Sequence, residues 1–459
     1  MRHHTAMSVH LSRRALVAGL CLGPAAAGAS SAGSRIADIR GTFDPGEAVR
    51  PNAGRDQSAA LRDALVRAEA TGRPVFMPPG RYEIAEIDLT PSAHIIGIPG
   101  ETRLVFGGGR HMLRAAHTRR CRLQGLSIEG GDRPLGGDVK ALVDCRDVGD
   151  LAIDDCDVAA SAGAGIALTG CAGRIEGTRV GAVRAAGIDL VDSRGLTVAG
   201  NVVADCGDGG ILVQRLDAGA DDTIVRGNRV SRIRARSGGT GQHGNGINLA
   251  KANGVVVADN RVDDCDFSAI RCFSSDNLQV TGNILTRSGE TALYVEFAFE
   301  GAIVANNLVD DAAVGISFAN FLEYGGRLGT CSGNVVRNIR GHTRLPNGGE
   351  PSGAGISAEA DMAITGNVVE NAWLGLQLGW GPYLRDVTAT GNTIRRVRIG
   401  IAVSVVEGAG AALVANNLVS GATQGGILGM RWADAVTPDL AAAAAGAFPH
   451  LTIAANRVS

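Results

Sequence analysis

The sequence predicts an all-β chain wound as a right-handed, single-stranded parallel β-helix, a solenoid, with an N-terminal capping helix. The first observation behind this is compositional. The 459 residues include 66 glycines, are 45% apolar and only 4% aromatic, so the core must be large yet assembled from small side chains. The second is internal repetition. Residues 186–203 (AGIDLVDSRGLTVAGNVV) align without a gap on residues 245–262 (NGINLAKANGVVVADNRV), sharing Gly187/Gly246, Ile188/Ile247, Leu190/Leu249, Gly195/Gly254, Val198/Val257, Asn201/Asn260 and Val203/Val262. The third is period. Asparagines at 201, 228, 260, 283, 307, 334, 367, 392 and 417 recur at spacings of 27, 32, 23, 24, 27, 33, 25 and 25 residues. Between them recurs a small residue followed by apolar-x-apolar, as in GIDL at 187, GINL at 246, GISF at 315 and GIAV at 400.

Such short alternating runs cannot be helical hairpins, whose apolar faces need spacings of three and four. They read as strands. A single strand leaves its backbone groups unpaired, so successive repeats stack as parallel neighbours about 4.8 Å apart. Ile188, Ile247, Ile270 and Ile316 then form inward apolar columns. The asparagines form a ladder along the axis, and their tolerance of left-handed backbone suits the turns. Thr178 and Cys156 continue the same slot upstream.

Taken in chain order, residues 1–29 read as a twin-arginine signal peptide: Arg13-Arg14 precedes a short apolar run, Ala15 to Gly23, and then small residues around Ala27-Gly28-Ala29. That run is far below the roughly 20 residues of a spanning helix. The expectation is therefore passage through the twin-arginine export machinery to the periplasm or beyond, with no stable membrane anchor. The formal charge of −2 becomes −5 once these residues, with three arginines and no acids, are removed, and nothing in that balance favours nucleic acid. Residues 34–110 form the N-terminal cap and first coils, and residues 111–459 the coil array.

Within 56–70, DQSAALRDALVRAEA, Asp56 is an N-cap, Ala60, Leu61, Ala64, Leu65 and Ala68 line one helical face, and Gly72 with Pro74 ends it. A second cap is expected at TPDLAAAAAG, 437–446, with Thr437 as N-cap. The cysteines show no CxxC spacing and fall at coil-register positions such as Cys206 and Cys265, which predicts buried thiols. The histidines are scattered, so neither metal nor cofactor is expected.

GRDQSAALRDALVRAEATGRPVFMPPGRYEI (54–84) followed by HIIGIPGETRLVF (94–106) resembles the entry segment of pectate-lyase-superfamily β-helices, through Val75, Pro78/Pro79, Gly80, Tyr82 and Gly97/Gly100, Thr102, Leu104. The whole plan is similar to the twin-arginine-exported β-helical repeat proteins of bacteria. The resemblance implies fold and export rather than chemistry. The NTD, GDD, GHG and RIK series of polygalacturonases is absent, its nearest echoes being Asp208, His243 and Arg271, and so is the DPHD/DPHE of alginate epimerases.

Alternation instead nominates one face, on which the third and fifth residues of each GIxLx unit point to solvent. Glu296 and Glu359 share a column two rungs apart, about 9.6 Å, at the upper edge of the roughly 6.5–9.5 Å carboxylate separation of inverting glycosidases. Tyr294 and Arg271, one rung apart, offer the competing chemistry of β-elimination on a uronan, with arginine on the carboxylate and tyrosine as base. His243, Asn248, Ser317, Gln377, Trp380 and Tyr383 flank these positions as substrate-binding candidates. Seventeen aromatics exist in the chain, yet Tyr294, Phe297, Phe299, Phe318, Phe321 and Tyr324 crowd one stretch, followed by Trp373, Trp380 and Tyr383. The five arginines of 226–236 would suit an acidic glycan or pair with Asp221, Asp222, Asp263 and Asp264. The expected function is an exported protein that binds a polysaccharide or oligosaccharide and, in its catalytic version, cleaves it as a glycoside hydrolase or uronan lyase. The alternative is a non-catalytic envelope or glycan-binding protein using the same face.

Overall fold

The computed structural model describes residues 41–459 apart from 240, 321–324, 344–351 and 443–447. Residues 1–29, read above as a signal peptide, the first residues of the 34–110 segment, Phe321 and Tyr324 lie outside the described residues. The rest is one long parallel sheet coiled on itself as a right-handed β-helix, with a single α-helix, Ser58–Thr71, near its start. A representative coil has three strands, Ala186–Val191, Thr197–Ala199 and Val202–Cys206, which pair in parallel with Gly209–Ala220, Ile224–Arg226 and Arg229–Ile233 of the next coil. The GIxL strands form one wall, which carries the candidate site.

The inward column predicted from the repeat is present. Ile188, Ile211, Ile247, Ile270, Leu293, Ile316, Ile356, Leu376, Ile401 and Ile427 follow one another in register, each fully buried. The small residue before each has a packing cause: a Cβ on Gly187 would run into the Val203 side chain across the lumen. All eight cysteines among the described residues are buried free thiols, packed as small hydrophobes.

The asparagine ladder is continuous. Asn228 Oδ1 accepts the Asn201 backbone N–H at 2.9 Å and its Nδ2–H at 3.0 Å, while Asn201 Nδ2 donates to the Ile175 carbonyl at 2.9 Å. The same pattern is handed on through 260, 283, 307, 334, 367, 392 and 417, and ends at Asn456, which the repeat analysis missed. Thr178 and Cys156 extend it toward the N-terminus. The expectation that these asparagines adopt left-handed backbone is corrected: the positive φ falls on the residue before each, such as Gly200 (63°), Asp259 (57°) and Asn416 (57°). That residue turns the corner, freeing the asparagine side chain to enter the lumen and pair across rungs. This explains the GN, DN and NN steps.

Both ends are covered. Ser58, Leu61, Ala64, Leu65 and Ala68 of the helix are buried against the first coils. The helix starts one residue later than Asp56 as N-cap implies, with Asp56 Oδ1 accepting the Ser58 N–H at 3.1 Å. At the other end Thr437 is not a helix N-cap. The last wall strand, Leu418–Arg431, has no following rung over Gly426–Gly429, and its orphan N–H groups need acceptors. Thr437 Oγ1 takes that of Gly429 at 2.8 Å, and Asp439 takes those of Gly426 and Ile427 at 2.6 and 3.1 Å. An antiparallel hairpin, Met430–Ala435, precedes this cap.

Candidate functional site

The wall strands place Asn248, Arg271, Tyr294, Ser317, Ser357 and Gln377 in one column, each a rung from the next. Beside it run Phe273, Glu296 and Ala319. The register expected for the site is therefore observed, but its exposure is not. Asn248, Glu296 and Glu359 are buried, and Arg271, Tyr294, Ser317 and Gln377 only half-buried. The cause near Arg271 is the long 234–244 loop, folded back over the wall so that Gly241 O accepts from the Arg271 guanidinium. That loop carries His243, half-buried, two residues from the contact.

Arg271 Nε donates to Glu296 Oε2 at 2.6 Å, with the two side chains 14% and 8% exposed. The guanidinium also lies 5.6 Å from the Phe273 ring centroid, and Phe273 meets Phe297 edge-on at 5.9 Å. Tyr294 sits beside this pair. Burial first, then the charges of Glu296, Glu290 and Glu359, push its hydroxyl well above the usual phenol range, opposed by Arg271. Glu290 was not foreseen. It occupies the corner residue before the wall strand, the slot that Asp208 holds three coils earlier, and burial raises its carboxyl too.

Glu359 was expected two rungs from Glu296 and outward. Its strand ends at Ala358, and the side chain turns to accept the Asn320 backbone N–H through Oε2 at 2.5 Å. Asn320 directly follows Ala319, the rung partner of Glu296, so the Glu359 carboxylate reaches back toward the Ala319 rung. Burial pushes the Glu359 carboxyl up to about 7, the Asn320 hydrogen bond holding it lower than burial alone would. Arg271, Tyr294, Glu296 and Glu359 thus form one cluster with Glu290. Asp189, four rungs from Tyr294, is outside it and is hydrogen-bonded by Gln214 at 3.0 Å.

Gln377 and Trp380 belong to a second feature, a cleft of about 350 Å³ over the last rungs of the same wall, lined by Trp373, Leu374, Gln377, Trp380, Arg398 and Trp432 among others, whereas Tyr383 is not in its lining. Tyr383 closes the short 3-10 turn Gly381–Tyr383 beside it. Trp432 and Arg398 escaped the sequence reading because one lies in the terminal hairpin, where the repeat gives no register, and the other at an unremarkable corner. In the 226–236 arginine run, Arg234 pairs with Asp264 at 2.7 Å as expected, whereas Arg232 takes Asp205 at 2.7 Å and Asp263 is taken by Arg287.

The family model for the right handed beta helix region matches residues 141–321. No curated protein matches the chain. Among solved structures, the catalytic unit of a thermostable GH87 α-1,3-glucanase from Streptomyces thermodiastaticus is similar with a TM-score of 0.51 at 15% identity, over 87% of this chain and 70% of that one. The pre-mature gene product 12 of bacteriophage phi29 gives 0.46 at 14% identity, over 85% and 57%. At 15% identity the likeness to the glucanase speaks for the fold alone.

Proposed function

We propose that this chain is an exported polysaccharide-binding protein whose wall between Asn248 and Gln377 holds a glycan and hydrolyses it, with Glu359 as general acid and Glu296 as its carboxylate partner. The observation that supports this most is the asymmetry of the two carboxyls. Glu359, raised to about 7 by burial, keeps a proton to give near neutral pH, whereas Glu296 forms an ion pair with Arg271 at 2.6 Å. A buried carboxyl that keeps its proton, on the same wall as a carboxylate held by an arginine, suits a division in which one protonates a leaving oxygen and the other acts on the opposite side. The α-1,3-glucanase with a similar fold is a glucan-acting protein, in keeping with a sugar on this wall. Export rests on the Arg13-Arg14 segment. β-Elimination is disfavoured, because a hydroxyl pushed up as Tyr294 is makes a poor base and Arg271 is already engaged by Glu296.

A non-catalytic binder remains the second reading. It is favoured by one observation: Glu296 and Glu359 each already have a structural partner, in Arg271 and the Asn320 N–H. A panel of neutral and uronate polysaccharides, assayed for reducing ends and for the ultraviolet absorbance of unsaturated uronates, separates the three outcomes. The expected result is reducing ends alone, lost by about 10²-fold or more in Glu359→Gln and Glu296→Gln. Hydrolysis surviving both substitutions overturns the site, and binding without either signal leaves the binder.

A further inference from the structure

The sequence holds three tryptophans, and all three line the cleft at the C-terminal end of the wall. Its floor is a patch of Leu374, Ile399, Ala402, Leu428 and Met430 on the outer side of the wall, separate from the main core. Over this floor the indoles divide into two roles. Trp373 packs against the Gly341 and Gly353 backbone, where a Cβ on either would run into it, and the Arg398 guanidinium lies 4.3 Å from its ring centroid. A ring so occupied positions the guanidinium. Neighbouring Arg396 and Arg340 pair with Glu370 and Asp311, but among the described residues no carboxylate pairs with exposed Arg398. It is a fixed cation at the mouth of the cleft.

Trp380 and Trp432 form the other half. Their rings meet at 5.7 Å and 72°, giving a corner of two nearly perpendicular aromatic planes. Trp432 is held there by the hairpin, with φ 56° at its own position, and by the absence of a side chain on Gly381, whose Cβ would collide with it. It remains 45% exposed. Beneath them the Gln377 Oε1 atom is buried with no hydrogen-bond partner among the described residues, an acceptor that costs stability unless something donates to it. Aromatic planes, one orphan acceptor and one unneutralised guanidinium are the complement of a ring with an apolar face, a hydroxyl and an anionic substituent.

We infer that this cleft binds a single sugar residue bearing a carboxylate or sulfate, its ring against Trp380 and Trp432, a hydroxyl donating to Gln377 Oε1, and its anion on Arg398. The inference rests on the reading of the chain as a glycan binder and names the sugar class. Gln377 stands three rungs from Tyr294, about 14 Å at 4.8 Å per rung, so one oligosaccharide can occupy the cleft and the carboxyl cluster together.

Because the three tryptophans share this cleft, fluorescence excited selectively at tryptophan, beyond the tyrosine absorption band, reports on it alone in the whole protein. The probes are oligomers of galacturonate, mannuronate, guluronate and glucuronate and a sulfated galactan, each beside its neutral counterpart, with calorimetry in parallel. At least one anionic probe is expected to shift or quench the emission, to bind about tenfold more tightly than its neutral counterpart, and to lose about tenfold in Arg398→Ala and in Gln377→Leu. Arg398 is exposed, so its removal leaves the fold intact, which circular dichroism checks. No emission change with any probe, or a change equal for neutral probes and untouched by Arg398→Ala, overturns the inference. Hydrolysis dependent on Glu359 without an emission change sinks the cleft alone; an Arg398-dependent emission change without hydrolysis sinks the catalytic reading alone.

Discussion

Replacing Asn260 by alanine tests the ladder, and its cost can be worked from the bonds. Asn260 Oδ1 accepts the Asn228 backbone N–H at 2.9 Å, and its Nδ2 donates to the Val225 carbonyl at 2.9 Å. Asn228 Nδ2 keeps its bond to the Val198 carbonyl, and Asn283 Oδ1 keeps the Asn260 backbone N–H. Alanine therefore strands two buried main-chain groups, one donor and one acceptor. At about 1–3 kcal/mol each, the loss is about 2–6 kcal/mol. The chain supplies its own control in Thr178, whose Oγ1 accepts the Cys156 N–H at 3.3 Å in the equivalent slot, so Asn260→Thr should recover about half. Coils couple chiefly to their neighbours, and the loss should be local. Hydrogen exchange read by mass spectrometry should show lost protection concentrated in residues 198–262, alongside a lower urea midpoint. Two variants within about 0.5 kcal/mol of the parent, or protection lost evenly from end to end, would refute the reasoning.

Further outcomes follow from the site and core. Glu359 has a folded-state carboxyl raised from its ordinary 4.5 to about 7, so the folded state binds more protons than the unfolded state between those values, and stability from this group falls as pH rises through that window, by up to about 3 kcal/mol. Glu359→Gln should flatten a plot of denaturation midpoint against pH there. Arg271→Ala leaves Glu296 nearly buried and unpaired, so it should cost about 3–5 kcal/mol, and adding Glu296→Gln should restore part of that in a double-mutant cycle. Gly200, at φ 63°, should lose about 1 kcal/mol as alanine, measured by chemical denaturation. The thiols of Cys156, Cys206, Cys272 and Cys331 are pushed up to about 12 by burial; a thiol reagent should leave them untouched in the native protein and react after denaturant.

Repetition made the fold legible. Ile188, Ile247 and Ile316 recur because each rung presents the same lumen, so the chain states its own register many times. Asn201 and its successors were readable for the same reason, though the left-handed turn belongs to the residue before, since a two-residue motif does not say which member bends. The columns through Arg271, Tyr294 and Ser317 followed from alternation. Exposure did not, because it depends on what lies over the wall. The 234–244 loop covers Arg271, the bend after Ala358 turns Glu359 back toward Asn320, and the terminal hairpin brings Trp432 to Trp380. Each lies where the repeat is interrupted and periodicity is silent. Thr437 was misjudged for a related reason: an alanine run favours a helix locally, but the open N–H groups of the last strand claimed Thr437 and Asp439 first.

From Asn201 to Asn456, the pairing of a left-handed residue with the asparagine after it makes each coil begin and end on the same two steps. Excising 202–228 would join Asn201 to Arg229, which is the register partner of Val202, and Asn201 would meet Asn260 where it had met Asn228. The molecule is in that sense a string of exchangeable cassettes. Its wall can be lengthened or shortened in whole-coil increments by duplication or deletion, leaving both end caps untouched.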